Sequence, residues 1–346
     1  MPRTMMAAVL EEQNKPLVVS ELEVPECGVG QVLVQVRFSG ICGAQLGEIE
    51  GRKGPDRFLP HLMGHEGGGV VAEVGPGVTR VKPGDHVVMH WRKGAGIEST
   101  PPRYRRGDAY VGGGWVTTFN ELAVVSENRL TAIDRDVPLE VAALMGCAVT
   151  TGLGVVANDA RLKSGQSIAV IGTGGVGLNI VQGAAMVNAD PIIGIDILAE
   201  KLRVAREFGA TDVIDASSSN VRDEVLRIAG KRGVDVVVDT TGLGRQIEIA
   251  YEITASGGRT ILVAQQHRDD RIAINTLAIQ QGKVLMGSEG GQTNPNEDIP
   301  RLLKLYAKGK LKLDELITHR FPLSEINEAL DTVRSGKAVR CVVSMS

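Results

Sequence analysis

The chain has 346 residues, of which 43% are hydrophobic and 23% are charged, and its net charge at pH 7 is −3. A slightly acidic chain of this kind is not expected to bind nucleic acid, because that function needs a basic surface. No apolar stretch reaches the roughly 18 residues that a membrane span requires, and charged residues come too early for a secretory signal. We therefore expect a soluble, cytoplasmic protein that binds no membrane, and its length favours two domains.

The N-terminal part, residues 5–150, is predicted to be rich in β-structure. Turn sequences such as PECGVG, VGPGV and VKPGD separate short apolar runs at 17–22, 32–38, 69–74 and 85–89. Short strands at such close spacing predict a small, barrel-like domain.

Residues 91–114 interrupt this pattern, because they are polar, rich in glycine and basic. We interpret them as a long loop, and long loops usually carry function or are flexible. One hypothesis is that their basic side chains meet an anionic or hydroxyl-rich substrate, and the alternatives are a solvated loop or a subunit contact. These side chains are Arg92, Lys93, Arg103, Arg105 and Arg106.

The central part of the chain carries a dinucleotide-binding pattern. An apolar run at 167–171 leads into a complete G-x-G-x-x-G, which is followed by helical spacing at 176–188 and by a second apolar run that ends in Asp196. This is the order of strand, glycine turn, helix, strand and acid that binds a dinucleotide. The candidate phosphate-binding residues are Gly172, Gly174, Gly175, Val176 and Gly177.

Each part of this pattern has a physical task. Gly172 would allow the tight turn, Gly174 would let the backbone approach a pyrophosphate, and Gly177 would let the helix lie close to the strand. The start of the helix offers free N–H groups to the phosphates. Asp196 would accept hydrogen bonds from the adenosine ribose and repel a 2′-phosphate, which favours NAD over NADP.

Strands and helices alternate over residues 149–288, which predicts an α/β fold with a doubly wound parallel sheet. Two helices, at 298–308 and 323–335, and a closing strand at 338–343 are expected to follow. The predicted strands are 167–171, 191–196, 212–215, 234–239, 259–264 and 283–287, and the predicted helices between them include 199–208 and 220–230.

One histidine and two cysteines form a candidate metal site. Cys42, His65 and Cys147 lie in the stretches SGICGAQ, LMGHEGGG and LMGCAVTTG. Taken singly, each residue is more simply interpreted as a buried side chain. Together, one imidazole and two thiols are a known set for catalytic zinc, in which water or substrate takes the fourth position.

These stretches resemble the zinc-dependent medium-chain alcohol dehydrogenases. The resemblance rests on GICG, GHEGGGVVAEVGPGVTRVKPGDHV, GCAVTTGLG, GTGGVG with Asp196, and GKAVRCV, which follow in order over nearly the whole chain. It implies a GroES-like catalytic domain at 1–148 and 289–346, a Rossmann domain for NAD at 149–288, and a homodimer or homotetramer paired through the edge strand near 283–287.

The resemblance also implies roles for single residues. Cys42, His65 and Cys147 should hold one catalytic zinc ion. The remaining implied roles are Glu66 as a carboxylate beneath the metal, Thr151 against the nicotinamide, Lys201 at the adenosine ribose and Arg340 at the pyrophosphate.

The sequence also departs from the family's pattern. No cysteine lies between Cys42 and Cys147, so we expect one zinc ion per chain at most, without the structural zinc of many relatives. Ala44 stands where relatives have the Ser or Thr that begins a proton relay, and Gln45 stands where they have Asp. A histidine that ends the relay in many relatives would fall at about Gly47. The proton is therefore expected to leave through bound water, a substrate hydroxyl, Glu66, or His61 and His90.

The expected function is hydride transfer between NAD(H) and a secondary alcohol or carbonyl compound, with a sugar-like or anionic polyhydroxylated molecule as one candidate substrate. An epimerase or lyase that uses bound NAD transiently is the main alternative, because an altered proton path can redirect the chemistry. A non-catalytic binding protein and a zinc-free reductase are disfavoured by the complete set of metal ligands.

Overall fold

The computed structural model describes residues 2–345. Its strands are β1 (Thr4–Leu10), β2 (Val18–Glu23), β3 (Gln31–Gly40), β4 (His61–Leu62), β5 (Glu66–Val74), β6 (His86–His90), β7 (Arg103–Arg106), β8 (Ala109–Gly112), β9 (Leu122–Ser126), β10 (Leu130–Ile133), β11 (Ile168–Ile171), β12 (Ile192–Asp196), β13 (Asp212–Asp215), β14 (Val234–Asp239), β15 (Thr254–Leu262), β16 (Val284–Gly287), β17 (Ile317–Pro322) and β18 (Arg340–Ser344). Its α-helices are α1 (Gly43–Ile49), α2 (Leu139–Met145), α3 (Ala148–Gly154), α4 (Gly175–Met186), α5 (Ala199–Glu207), α6 (Val221–Ala229), α7 (Gly244–Ile253), α8 (Leu277–Gln280), α9 (Pro295–Ala307) and α10 (Ile326–Arg334).

The chain divides into two compact units. The first ends at Cys147 and resumes at Asn294, and the second is Ala148–Thr293. The sequence placed the changes of domain after residues 148 and 288, so the first change lies one residue earlier and the second lies five residues later. The second unit therefore includes the short turn that follows β16, and the first unit resumes at the start of α9.

The first unit contains a closed barrel and a second, larger sheet. The barrel has the strand order β1-β2-β7-β8-β4, and the larger sheet has the order β10-β6-β5-β3-β18-β17, with β9 also paired to β3. Apolar side chains from β3, β5 and β6 pack with α1 and α10 in one core. A smaller core, which includes Leu22, Tyr104 and Val111, belongs to the barrel.

The prediction of one long loop over residues 91–114 is wrong for its second half. Residues 103–112 form the antiparallel hairpin β7–β8, which completes the barrel. Tyr104 and Val111 belong to the barrel core and are fully buried, while Arg105 is exposed and Arg106 is half-buried.

Three of the five basic side chains of this segment, Lys93, Arg105 and Arg106, have acidic partners in the first unit. Arg106 forms an ion pair with Glu11, and Lys93 lies 2.7 Å from Glu98. Much of the positive charge is thus balanced locally, which weakens the hypothesis that this segment attracts an anionic substrate.

The second unit contains the predicted doubly wound sheet. Its six strands, all in the described stretch 148–293, are parallel and have the order β13-β12-β11-β14-β15-β16. The prediction of an α/β fold with a parallel sheet is confirmed. β15 begins at Thr254, before the predicted residue 259, and β16 lies at the edge, where pairing between subunits stays a prediction.

The described residues contain no single helix long and apolar enough to cross a membrane. The consecutive segments Leu139–Met145 and Ala148–Asp159 would reach that threshold only together, by length and composition alone.

Candidate metal centre and cofactor site

The first unit brings the three predicted metal ligands together. Cys42 lies two residues after the end of β3 and is the N-cap residue of α1, and His65 directly precedes β5. Because β3 and β5 are antiparallel neighbours with Ser39 opposite Gly67, these two residues lie at the same end of the strand pair. Cys147 follows α2, and the ligand atoms of all three side chains lie within 4.8 Å of one another.

Two glycines let the helix that carries Cys147 lie directly on the strands. A Cβ atom at Gly68 in β5 would be 2.1 Å from the carbonyl oxygen of Leu139, and one at Gly146 would be 2.3 Å from that of Met89. Both distances are far below a van der Waals contact. Gly68 and Gly146 therefore allow α2 to pack close enough to the strands for Cys147 to reach the other two ligands.

The polar atoms of this cluster fit a zinc ion. The imidazole Nε2 of His65 is buried and has no hydrogen-bond partner among the described residues, although a buried ring nitrogen normally has one. The pKa of Cys42 is well below its usual value because Cys147 donates a hydrogen bond to it, and the same interaction raises the pKa of Cys147. An unpartnered imidazole nitrogen beside a ready thiolate is the donor set that zinc prefers.

A buried ion pair lies next to the cluster. Glu66 is 0% exposed and pairs with Arg340 of β18, which is 5% exposed. Burial raises the pKa of Glu66, against the opposing effect of the Arg340 charge. The described side-chain contact of Arg340 is with Glu66. The role of Glu66 beneath the metal and the reach of Arg340 to a pyrophosphate both stay predictions.

Gln45 occupies a more central place than the sequence indicated. Its side chain is 0% exposed and bridges two ligand residues: its Oε1 accepts from the Cys42 N–H at 2.7 Å, and its Nε2 lies 2.6 Å from Nδ1 of His65. Ala44, in the first turn of α1, offers no group that can carry a proton. The sequence showed only that these positions differ from the family's pattern, since hydrogen-bond partners are not visible in a sequence.

The two histidines considered for proton transfer have different surroundings. His90 is buried, its ring nitrogens lie 2.7 Å from the Arg92 carbonyl and 3.0 Å from Thr131 Oγ1, and burial lowers its pKa to about 4. It is therefore neutral at pH 7. Nε2 of His61 lies 2.8 Å from Asp56 and 3.9 Å from Glu48, and its Nδ1 lies 2.8 Å from the Leu62 carbonyl.

The second unit builds the glycine turn of the cofactor site. Gly172 ends β11 with a φ of +90°, which side chains disfavour. Gly174 is the N-cap residue of α4, and a Cβ atom there would meet nothing within 4 Å. A Cβ atom at Gly177 would lie 2.0 Å from the carbonyl oxygen of Gly172. The turn is thus tight at Gly177 and open at Gly174, with Gly175 and Val176 opening the helix between them.

Acid and hydroxyl groups surround this turn. Asp196 at the end of β12 accepts hydrogen bonds from the N–H groups of Thr173 at 2.8 Å and of Ile197 at 2.8 Å. Its carboxylate is thereby held at the edge of the turn, where a ribose would be recognised. Thr240, which sequence reasoning missed, donates to the carbonyl of Gly172 at 2.7 Å from the end of β14. Thr240 could have been found from the sequence, because it directly follows a buried strand that ends in Asp239.

The two remaining predicted residues also lie in this unit. Lys201 is half-buried in the first turn of α5, directly beyond Asp196, and Thr151 is buried in α3. Their contacts with ribose and nicotinamide stay predictions.

Comparison with known proteins identifies the family. Residues 28–135 match the model of the alcohol dehydrogenase GroES-like domain, and residues 175–308 match the model of the zinc-binding dehydrogenase family. Alcohol dehydrogenase 1 of Trifolium repens is 32% identical, over 98% of this chain and 96% of the relative. The chain belongs to the zinc-dependent medium-chain alcohol dehydrogenase family. The S-(hydroxymethyl)glutathione dehydrogenase of Paracoccus denitrificans is also 32% identical, over 97% of this chain and 98% of that protein.

A solved structure agrees with this assignment. The alcohol dehydrogenase zinc-binding domain protein of Burkholderia ambifaria matches with a TM-score of 0.92 and 26% identity, and the match covers 100% of both chains. The GroES-like domain matched at residues 28–135 lies within the first unit. Membership of this family implies an enzyme with a catalytic zinc ion and NAD as cofactors, and both predictions are confirmed at that level.

Proposed function

We propose that this protein is an NAD-dependent dehydrogenase that interconverts a secondary alcohol and its carbonyl compound at a single zinc site per chain. The observation that carries the proposal is the unpartnered Nε2 of His65 beside the two thiols of Cys42 and Cys147. A zinc ion held there would supply Lewis-acid polarisation of an alcohol or carbonyl oxygen at its fourth position.

The chain's own residues support the other parts of the reaction. Glu66, which follows the ligand residue His65 in the chain, forms a buried ion pair with Arg340, and this pair supports a role for Glu66 as a carboxylate behind the metal. The turn that begins at Gly172 and the start of α4 offer N–H groups to the cofactor's phosphates. Asp196 supplies a carboxylate for a ribose, and this charge favours NAD over NADP.

The proton route that we propose runs through His61. It is the histidine with carboxylates at hand, Asp56 at 2.8 Å and Glu48 at 3.9 Å, and Glu48 lies one helical turn beyond Ala44 on α1. A histidine ring in contact with carboxylates can relay a proton between reacting groups. His61→Ala should therefore slow alcohol oxidation, whereas His90→Gln should leave its rate nearly unchanged.

The experiment that tests the proposal combines zinc analysis with a substrate screen. Elemental analysis should find about one zinc ion per chain, and NADH should accumulate when secondary alcohols are supplied with NAD. Cys147→Ser should lose the metal and the activity together. Cys27→Ser, which changes a cysteine outside the cluster, is the matched control and should keep both.

Each other outcome has a clear meaning. Folded protein that binds NADH but carries no zinc would contradict the proposal. Turnover of substrate without net formation of NADH would favour the alternative of an epimerase or lyase, for which the comparisons offer no support. Equal use of NADP and NAD would refute the role of Asp196.

A further inference from the structure

Gln45 joins the backbone of one metal ligand to the ring of another. Its amide is fully buried, and both polar atoms are engaged: Oε1 with the Cys42 N–H at 2.7 Å, and Nε2 with Nδ1 of His65 at 2.6 Å. A contact of this kind next to a metal ligand normally orients its ring.

The orientation of this amide is determined by Cys42. A backbone N–H can only donate, so the atom of Gln45 that faces Cys42 is the oxygen. The atom that faces His65 is then the amide nitrogen, which also can only donate. Nδ1 of His65 is therefore the acceptor in this contact and carries no proton.

This arrangement weakens, but does not prevent, binding of a metal at Nε2. A neutral imidazole that ligates through Nε2 carries its proton on Nδ1, and that proton needs an acceptor such as a carboxylate or a carbonyl group. The NH₂ group of Gln45 cannot accept it. If the amide turned over, its oxygen would face His65, but its NH₂ group would then face the Cys42 N–H. In either orientation one buried donor loses its partner.

We propose that Gln45 is a positioning residue that limits how tightly this site holds zinc. Binding of zinc at His65 requires the loss of one buried hydrogen bond at Gln45, and a carboxylate at position 45 would avoid that loss because both of its oxygens accept. The inference rests on the proposal that Cys42, His65 and Cys147 hold the metal.

The test is the isosteric variant Gln45→Glu. Its carboxylate can accept from the Cys42 N–H and from Nδ1–H of His65 at once. We expect its dissociation constant for zinc, measured by competition with a chromophoric chelator, to fall about 10-fold to 100-fold, which is the usual size of effects from groups behind a metal ligand. Release of zinc to excess chelator should slow in parallel. A merely structural role for Gln45 predicts unchanged or weaker binding instead.

A charge control separates hydrogen bonding from simple attraction. Gly43→Asp adds one negative charge to the first turn of the same helix at an exposed position, where a new Cβ meets nothing within 4 Å. It should change zinc affinity by less than about threefold, because exposed charges are screened by solvent. If Gly43→Asp tightens zinc binding as much as Gln45→Glu, or if Gln45→Glu does not tighten it, the inference is overturned.

Two further measurements keep the test decisive. If Gln45→Glu does not fold, Gln45→Asp and Gln45→Asn form a second matched pair, and the acid should bind zinc more tightly than the amide. Wild-type zinc content and its loss in His65→Ala separate the two proposals. If no zinc depends on His65, the proposed function fails, whereas if zinc depends on His65 but not on the acid at position 45, only this inference fails.

Discussion

The two glycines of the cofactor turn should fail in different ways when each is replaced by alanine. At Gly177 a Cβ atom would lie 2.0 Å from the carbonyl oxygen of Gly172, so the turn or the helix must move by about 1.4 Å to reach an ordinary contact of 3.4 Å. Overpacking of this kind costs about 1–3 kcal/mol or more. At Gly174 a Cβ atom meets nothing within 4 Å, and replacing this N-cap glycine by alanine should cost less than about 1 kcal/mol.

Gly174→Ala, which should cost little stability, is expected to weaken cofactor binding strongly. The space that the new methyl group of Gly174→Ala would enter is the space through which a pyrophosphate approaches the turn. We expect its dissociation constant for NADH to rise about tenfold or more, which corresponds to about 1.4 kcal/mol. Gly177→Ala should melt about 4–10 °C lower than wild type, since each kcal/mol shifts Tm by roughly 2–4 °C in domains of this size.

Thermal denaturation and titration of NADH fluorescence, applied to both variants, check this pair of expectations. The result that would refute the reasoning is a Gly174→Ala variant that binds NADH as tightly as wild type. A Gly177→Ala variant with an unchanged Tm would show that the close approach of helix to turn is not required. If both variants lose the same amount of stability, the distinction between an open position at Gly174 and a tight one at Gly177 is wrong.

Three further outcomes are expected. Burial lowers the pKa of His90 from 6.5 to about 4, so the unfolded chain binds the proton first and stability falls as the pH drops below 6.5. Urea unfolding at about pH 5 should show a loss of about 2 kcal/mol in the free energy of unfolding. His90→Gln should not show this loss. Arg340→Met should destabilise the first unit by about 3–5 kcal/mol, because Glu66 is left buried without its partner, and adding Glu66→Gln should restore part of that loss. Asp196→Asn should shift the ratio of NADP to NAD affinity toward NADP by about tenfold in binding titrations, and an unchanged ratio would contradict the role of its charge.

The parallel sheet could be predicted because its signals are local. Each strand from β11 to β14 is a short apolar run that ends at a glycine or an acid, and the glycine turn that begins at Gly172 marks one of them without ambiguity. The start of β15 at Thr254 was not predictable in the same way, since SGG interrupts the apolar pattern where the strand begins.

The hairpin β7–β8 was missed because its first strand does not look apolar. Tyr104 and Val111 are its fully buried side chains, and the other three positions of β7 carry arginine. The alternation of these residues around Gly107-Asp108 is a hairpin signal, but the overall basic composition concealed it. Charge on the outer face of a barrel strand says little about whether the inner face is packed.

The metal site shows what residue types alone can establish. Cys42, His65 and Cys147 were recognised by their chemistry and by resemblance, while their convergence depends on the contacts between β3, β5 and α2. The bridging role of Gln45 depends on which end of an amide faces which neighbour. That information exists only when the atoms have positions.

The contact of α2 with the sheet below it has a consequence for engineering. At Gly68 and Gly146 there is no room for a Cβ atom, because a main-chain carbonyl oxygen would lie only 2.1 Å and 2.3 Å away. Any side chain at either position should push α2 away from the strands and displace Cys147, which follows this helix. A redesign of substrate preference should therefore preserve both glycines.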